Sequence, residues 1–229
     1  MQYTIETLGE DALLLRFGDA VDAAVNARVH ALSRQIERVR PPWLHDLVPA
    51  YASLALFVDA DAFDCRLDPL AEAGRWLQQQ GFAGGDAETA DRLIEIPVQY
   101  GNDDGPDLAA LATHAGLGED EVIARHCAVE YRVAMLGFSP GFPYLLGLDP
   151  RLAMARLDTP RTRVPAGSVA IGGAQTGVYP GELPGGWQLI GRTPLALFDP
   201  ARTPAALLAP GQRVRFRPID ADRFAALAP

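Results

Sequence analysis

Two glycines flank a serine in Gly137-Phe138-Ser139-Pro140-Gly141, the G-x-S-x-G spacing that presents a nucleophilic serine in many hydrolases. That chemistry needs the backbone N–H of the residue after the serine as an oxyanion donor. Here that residue is Pro140, which has no N–H, and Gly141-Phe142-Pro143 make a poor start for the required helix. The mechanics argue against Ser139 as a nucleophile. What remains is a rigid, apolar loop in which prolines fix φ and aromatic rings supply flat surfaces. Its candidate pocket-lining residues are Phe138, Pro140, Phe142 and Tyr144. Such a loop either lines a pocket or plugs the end of a barrel, and composition alone leaves both open.

A second constellation runs from Thr159 to Ser168. Arg161 and Arg163 lie two apart on an extended segment bounded by Pro160 and Pro165, so they point the same way. Paired guanidinium groups clamp a carboxylate or phosphate, or else decorate a salt-bridged surface strand. A third constellation, from Gly172 to Pro194, sets Gln175, Thr176, Tyr179 and Arg192 among glycines that let a ligand approach closely. The expected substrate-binding residues are therefore Arg161, Arg163, Gln175, Thr176, Tyr179 and Arg192, with no catalytic residue assigned. The histidines, His30, His45, His114 and His126, form no H-x-H or H-E-x-x-H pair, so no metal is expected.

Charge narrows the ligand. Residues 1–127 hold 9 arginines against 22 acids, and residues 128–229 hold 11 arginines against 7. An acidic front half argues against nucleic-acid binding there, whereas the basic back half suits a carboxylate, a phosphate or an acidic partner. There is no lysine, which excludes a Schiff-base lysine, a biotinyl carrier lysine and the P-loop lysine that holds nucleotide phosphates. Cys65 and Cys127 form no metal or redox motif and read as reduced, buried thiols. With no apolar span of membrane length and no signal peptide read at the start, a cytoplasmic protein without membrane contact is expected.

The elements that must position these residues fall into two groups. Residues 1–91 contain 10 glycines and prolines, and the shorter span 137–211 contains 23, so regular elements give way to short strands and turns. Strands are expected at 3–8 and 12–17, with 46–51 and 53–58 forming a further strand pair or one long bent strand. A helix capped by Asp19 carries the stripe Val21, Val25, Val29, Leu32, Ile36, Val39, and a second helix opens on Asp68-Pro69 and closes at Gly81. A strand at 92–98 completes a ββαββαβ order, implying an antiparallel-rich sheet with both helices on one face. Helices at 107–114 and 119–127 follow, then an all-β region with clear strands at 130–138, 169–172, 187–191 and 213–219. That region points to a closed barrel, since closure removes exposed edges.

Ordered motifs along nearly the whole chain carry a family resemblance. They include Pro49-Ala50-Tyr51-Ala52-Ser53-Leu54, Val98-Gln99-Tyr100-Gly101, Gly105-Pro106-Asp107-Leu108 and Val122-Ile123-Ala124-Arg125-His126. They continue through Gly137–Leu145, Pro160-Arg161, Val164–Ile171, Gln175–Pro180 and Pro184-Gly185-Gly186-Trp187. The chain resembles the family of the 5-oxoprolinase B subunit, also named allophanate hydrolase subunit 1 or the KipI kinase inhibitor. It departs from the family pattern at residues 101–105, which lack a glutamate–aromatic pair before Gly105, and at Gln212, where an aspartate is usual.

The resemblance implies an α+β fold, with a small two-layer α/β N-terminal domain (1–91) followed by a cyclophilin-like β-barrel domain (92–229). It also implies a hetero-oligomer with a homologous-fold C subunit and an A subunit, opening 5-oxoproline to L-glutamate with ATP hydrolysis. No cofactor is expected on this chain itself, which should be inactive alone, ATP being used by the assembly. Two alternatives stay open. One is an allophanate hydrolase or urea carboxylase type of subunit 1, the carboxyltransferase part of a biotin-dependent enzyme. The other is a non-enzymatic inhibitor of a sensor histidine kinase.

Overall fold

The computed structural model describes residues 2–82 and 93–228, which divide into two compact units, residues 1–88 and 89–229. The expected boundary between residues 91 and 92 lies outside the described residues, as does Arg92 at the head of the expected strand.

In the first unit a hairpin of β1 (Thr4–Leu8) and β2 (Ala12–Arg16) turns at Gly9, whose φ of 69° suits glycine. Helix α1 (Ala23–Val39) starts at Asp22, not at the expected Asp19. The Asp22 carboxylate accepts from the Ala24 and Val25 N–H groups at 2.8 and 2.9 Å, satisfying two donors that the first turn leaves open. Val21 is accordingly outside the helix and exposed. Strands β3 (Leu44–Pro49) and β4 (Ser53–Val58) follow, then α2 (Pro69–Gln80), capped by Asp68 and closed by left-handed Gly81 as its sequence predicts. The sheet is antiparallel in the order β1-β2-β4-β3. Its Leu13, Leu15, Leu54 and Leu56 meet Val29, Leu32 and Ile36 of α1 and Ala73 and Leu77 of α2, so both helices cover one face.

The strand expected to complete that sheet belongs elsewhere. β5 (Leu93–Tyr100) pairs in parallel with β13 (Arg213–Pro218) and antiparallel with β12 (Gln188–Arg192). Its Ile96 and Val98 lie in the core of the second unit. Sequence order suggested a neighbour in the first sheet, but the partner strand arrives more than a hundred residues later.

In the second unit, helices α3 (Leu108–Ala115) and α4 (Glu119–Ala128) lead into β6 (Tyr131–Leu136) and β7 (Pro143–Leu146). Strands β9 (Ser168–Gly172) and β10 (Gln175–Val178) complete, with β5, β12 and β13, a closed barrel in the order β10-β7-β6-β13-β5-β12-β9. β8 (Arg161–Val164) and β11 (Leu183–Gly185) pair as a separate ribbon. The region is not all β: α5 (Ala221–Leu227), capped by Asp220, follows the last strand. Alternation along β9 divides the interior. Val169 and Ile171 join the main core, whereas Ala170 faces a second cluster with Phe142, Val164, Tyr179, Trp187 and Leu189.

Candidate functional site

The loop between β6 and β7 shapes the second cluster. Ser139 O accepts from Phe142 N at 3.0 Å, with Pro140 and then Gly141 (φ 81°) between them, the arrangement of a type II turn. Ahead of the turn, Phe138 is held at φ 69°, a left-handed conformation that strains any residue with a side chain, and 62% of its surface is exposed. Ser139 Oγ is buried with no hydrogen-bond partner, so no base activates it. The turn supplies no helix either. The elbow mechanism fails on geometry as well as on sequence.

Beneath that loop lies a cavity of about 250 Å³. Phe138, Phe142, Tyr144, Tyr179 and Trp187 form its walls, and Arg156, Pro160, Pro184, Gly185 and Gly186 complete the rim. Phe142 is the hub: Tyr179 and Trp187 stand edge-on to it at 5.2 and 5.6 Å between centroids, and Tyr144 is tilted at 5.0 Å. Edge-to-face geometry places positive ring edges on negative faces and locks each ring's orientation. Glycine makes the packing possible, since a Cβ on Gly172 would fall 2.6 Å from the Trp187 ring. Burial raises the Tyr179 phenol above its ordinary value, opposed by the Trp187 backbone and by the charges of Arg156 and Arg161. It therefore stays a neutral hydroxyl.

The residues expected from sequence to bind substrate are dispersed by the structure. Arg161 Nη2 donates to Asp107 Oδ1 at 2.7 Å, and Asp107 Oδ2 accepts from Leu189 N at 2.6 Å, a link between the ribbon and the barrel. Arg163 pairs with Glu182 at 2.7 Å, both well exposed. Gln175 is half-buried at the start of β10, and Thr176 is fully buried, its Oγ1 donating to Ala170 O at 3.0 Å. Arg192 belongs to a separate hollow of about 230 Å³, where it donates to Ala166 O at 2.9 Å and lies 5.9 Å from the Phe224 ring centroid. Tyr179, Phe138, Phe142 and Tyr144 come together at the aromatic cavity, while Pro140 occupies the turn outside its lining.

With this geometry in place, the chain can be set against known proteins. A model described as carboxyltransferase domain, subdomain C and D, matches residues 3–208. The chain belongs to that family. It is similar to the 5-oxoprolinase B subunit of Bacillus subtilis (strain 168), with 44% identity over 222 residues, 94% of this chain and 92% of that protein. It is equally similar to the 5-oxoprolinase B subunit of Escherichia coli O157:H7, with 44% identity over 211 residues, 92% of this chain and 94% of that one. The crystal structure of the Kluyveromyces lactis urea carboxylase matches 98% of this chain with a TM-score of 0.72 and 20% identity, this chain spanning 22% of that one. That last likeness is one of fold.

Within this carboxyltransferase-domain chain two arrangements are made only by the tertiary fold. Arg156, in the coil before β8, is exposed, with its guanidinium carbon 5.5 Å from the Trp187 ring centroid. No motif flags it, because only tertiary structure brings residue 156 to residue 187. The other is the polar network around His126, which is fully buried and stacked on Phe216 at 4.5 Å. Tyr100 OH donates to its Nδ1 at 2.8 Å, and its Nε2–H donates to Thr176 Oγ1 at 3.0 Å; the Thr176 proton is committed to Ala170 O, which fixes this tautomer. Among the described residues no His, Cys, Asp and Glu cluster could hold a metal ion, and no helix is long and apolar enough to cross a membrane.

Proposed function

We propose that this chain is the B subunit of a 5-oxoprolinase that opens 5-oxoproline to L-glutamate, and that the aromatic cavity is its share of the substrate site. The observation that carries the assignment is 44% identity to a 5-oxoprolinase B subunit across 92% of that protein. The cavity supports it chemically. Flat aromatic walls suit a compact planar lactam, and a neutral Tyr179 hydroxyl keeps the wall free of negative charge.

Opening an unstrained lactam with ATP needs a nucleotide site, and the absence of lysine removes the P-loop route from this chain. That fits a reading in which the ATP step belongs to the partners, a homologous-fold C subunit and an A subunit. Cys65 is exposed and Cys127 half-buried, so neither is the buried thiol expected, and free thiols suit a reducing cytoplasm. The urea and allophanate alternative and the kinase-inhibitor alternative both come from the family resemblance, and the fold likeness at 20% identity fits the first without favouring it.

Reconstitution by omission tests the assignment. The purified chain with ATP and 5-oxoproline is expected to release no glutamate. Release should appear when both partners are added and vanish when this chain alone is left out. Turnover by the single chain, or by the partners without it, would contradict the assignment.

A further inference from the structure

The arginines of the second unit are not equivalent. Arg161 faces Asp107, Arg163 faces Glu182, and Arg192 has Asp104 at 3.7 Å. Arg156 lies over the Trp187 ring, and among the described residues it has no hydrogen bond and no carboxylate partner. No acid lines the cavity it borders. A guanidinium held against an aromatic face keeps its planar edge of N–H donors free, and that edge matches a carboxylate in two parallel hydrogen bonds.

We infer that Arg156 is the carboxylate-binding residue of the aromatic cavity, and that the cavity selects a small cyclic monocarboxylate over its ring-opened form. This inference rests on the functional reading above and deepens it. The selectivity follows from the lining. One cation meets one carboxylate, and the rest of the surface is aromatic, proline and glycine. A closed lactam ring presents no further charge. Ring opening creates an ammonium and a second carboxylate, which these walls leave without partners, and desolvating unpaired charge is strongly unfavourable. The substrate form is held, and the product form is released.

Calorimetric titration of the purified chain, beside Arg156→Gln and Arg156→Lys, tests this. The ligands are 5-oxoproline, furan-2-carboxylate as a second flat ring acid, neutral 2-pyrrolidone, and glutamate. The parent should bind both ring acids, and glutamate at least tenfold more weakly than 5-oxoproline. Arg156→Gln should weaken ring-acid binding by about 10- to 150-fold, the range for a charge-assisted hydrogen bond, without altering thermal stability. Lysine should restore only part, since a point charge lacks the bidentate fork. For 2-pyrrolidone, parent and Arg156→Gln should be alike. Equal ring-acid affinity in parent and Arg156→Gln, or no ring-acid binding by the parent, overturns the inference. Turnover by the assembly that is unmoved by Arg156→Gln sinks the inference and leaves the oxoprolinase assignment standing. Arg156-dependent binding of furan-2-carboxylate with no 5-oxoproline turnover by the assembly does the reverse.

Discussion

Lowering the pH from 7 to 4.5 is expected to remove about 2–3 kcal/mol of folding stability through His126 alone. The ring is fully buried against Phe216 and Tyr131, and burial pushes its pKa down to about 3. An unfolded histidine titrates near ~6.5, so between the two values the unfolded chain binds a proton that the folded chain refuses. The stability from keeping this ring neutral is complete above the unfolded value. It is lost as pH falls toward 3, by roughly 5 kcal/mol over the full window at ~1.4 kcal/mol per pH unit. Its neighbours Tyr100, Tyr131 and Cys127 all have pKa values raised by burial, so none supplies a compensating negative charge. Urea titrations at pH 7, 6 and 4.5 read the loss. His126→Gln, which retains a donor and an acceptor, should be less stable at pH 7 and should show a much flatter dependence. An equally steep dependence in that variant would place the acid-sensitive group elsewhere.

Phe142→Ala should destabilise the fold by about 3–5 kcal/mol and lower the melting temperature by roughly 10 °C. Phe142 is 1% exposed and touches four aromatic rings of the cavity, so its removal leaves a void at the hub rather than at a margin. Three of those rings stand edge-to-face with Phe142 and do not collapse readily into the gap. Leucine fills much of the volume, and Phe142→Leu should lose only about 1–2 kcal/mol. Thermal melts of the three proteins decide. A Phe142→Ala melt within about 3 °C of the parent would mean that the walls are not a packed unit.

Local chemistry made part of this legible. Asp68-Pro69 and Gly81 declare the ends of α2, because a cap, a first-turn proline and a left-handed glycine act within a few residues. Asp19 and Asp22 both suit a cap for α1, and the helix takes Asp22, whose carboxylate accepts from the Ala24 and Val25 N–H groups. The glycine-dense stretch 173–180 reads as loop by propensity, yet Gln175–Val178 forms β10. Gly172 and Gly177 are there for close approach of Trp187 and Phe142, a demand that long-range packing sets. Phe138, Phe142 and Tyr144 of the cavity could be named from the aromatic density around the Pro140-Gly141 turn, and Tyr179 from the glycine-rich constellation after it. Trp187 and the arginine that borders the cavity could not. Arg161 and Arg163 stand out by their spacing, but their acids come from residues 54 and 19 positions away, while Arg156 sits in an unmarked coil.

The most direct test of the central claim, that the aromatic cavity holds substrate, uses the one wall residue whose backbone the fold does not favour. Phe138 is mostly exposed and sits in a left-handed conformation that costs a side-chain-bearing residue about 1–2 kcal/mol. Glycine adopts that conformation freely but loses more chain entropy on folding, so Phe138→Gly should leave the melting temperature within about 3 °C of the parent. The measurement is the kinetics of 5-oxoproline turnover by the reconstituted assembly carrying Phe138→Gly. If the ring closes the mouth of the substrate cavity, KM should rise about tenfold or more while the variant folds and assembles normally. Parent-like KM and kcat in a normally assembled variant would contradict the claim.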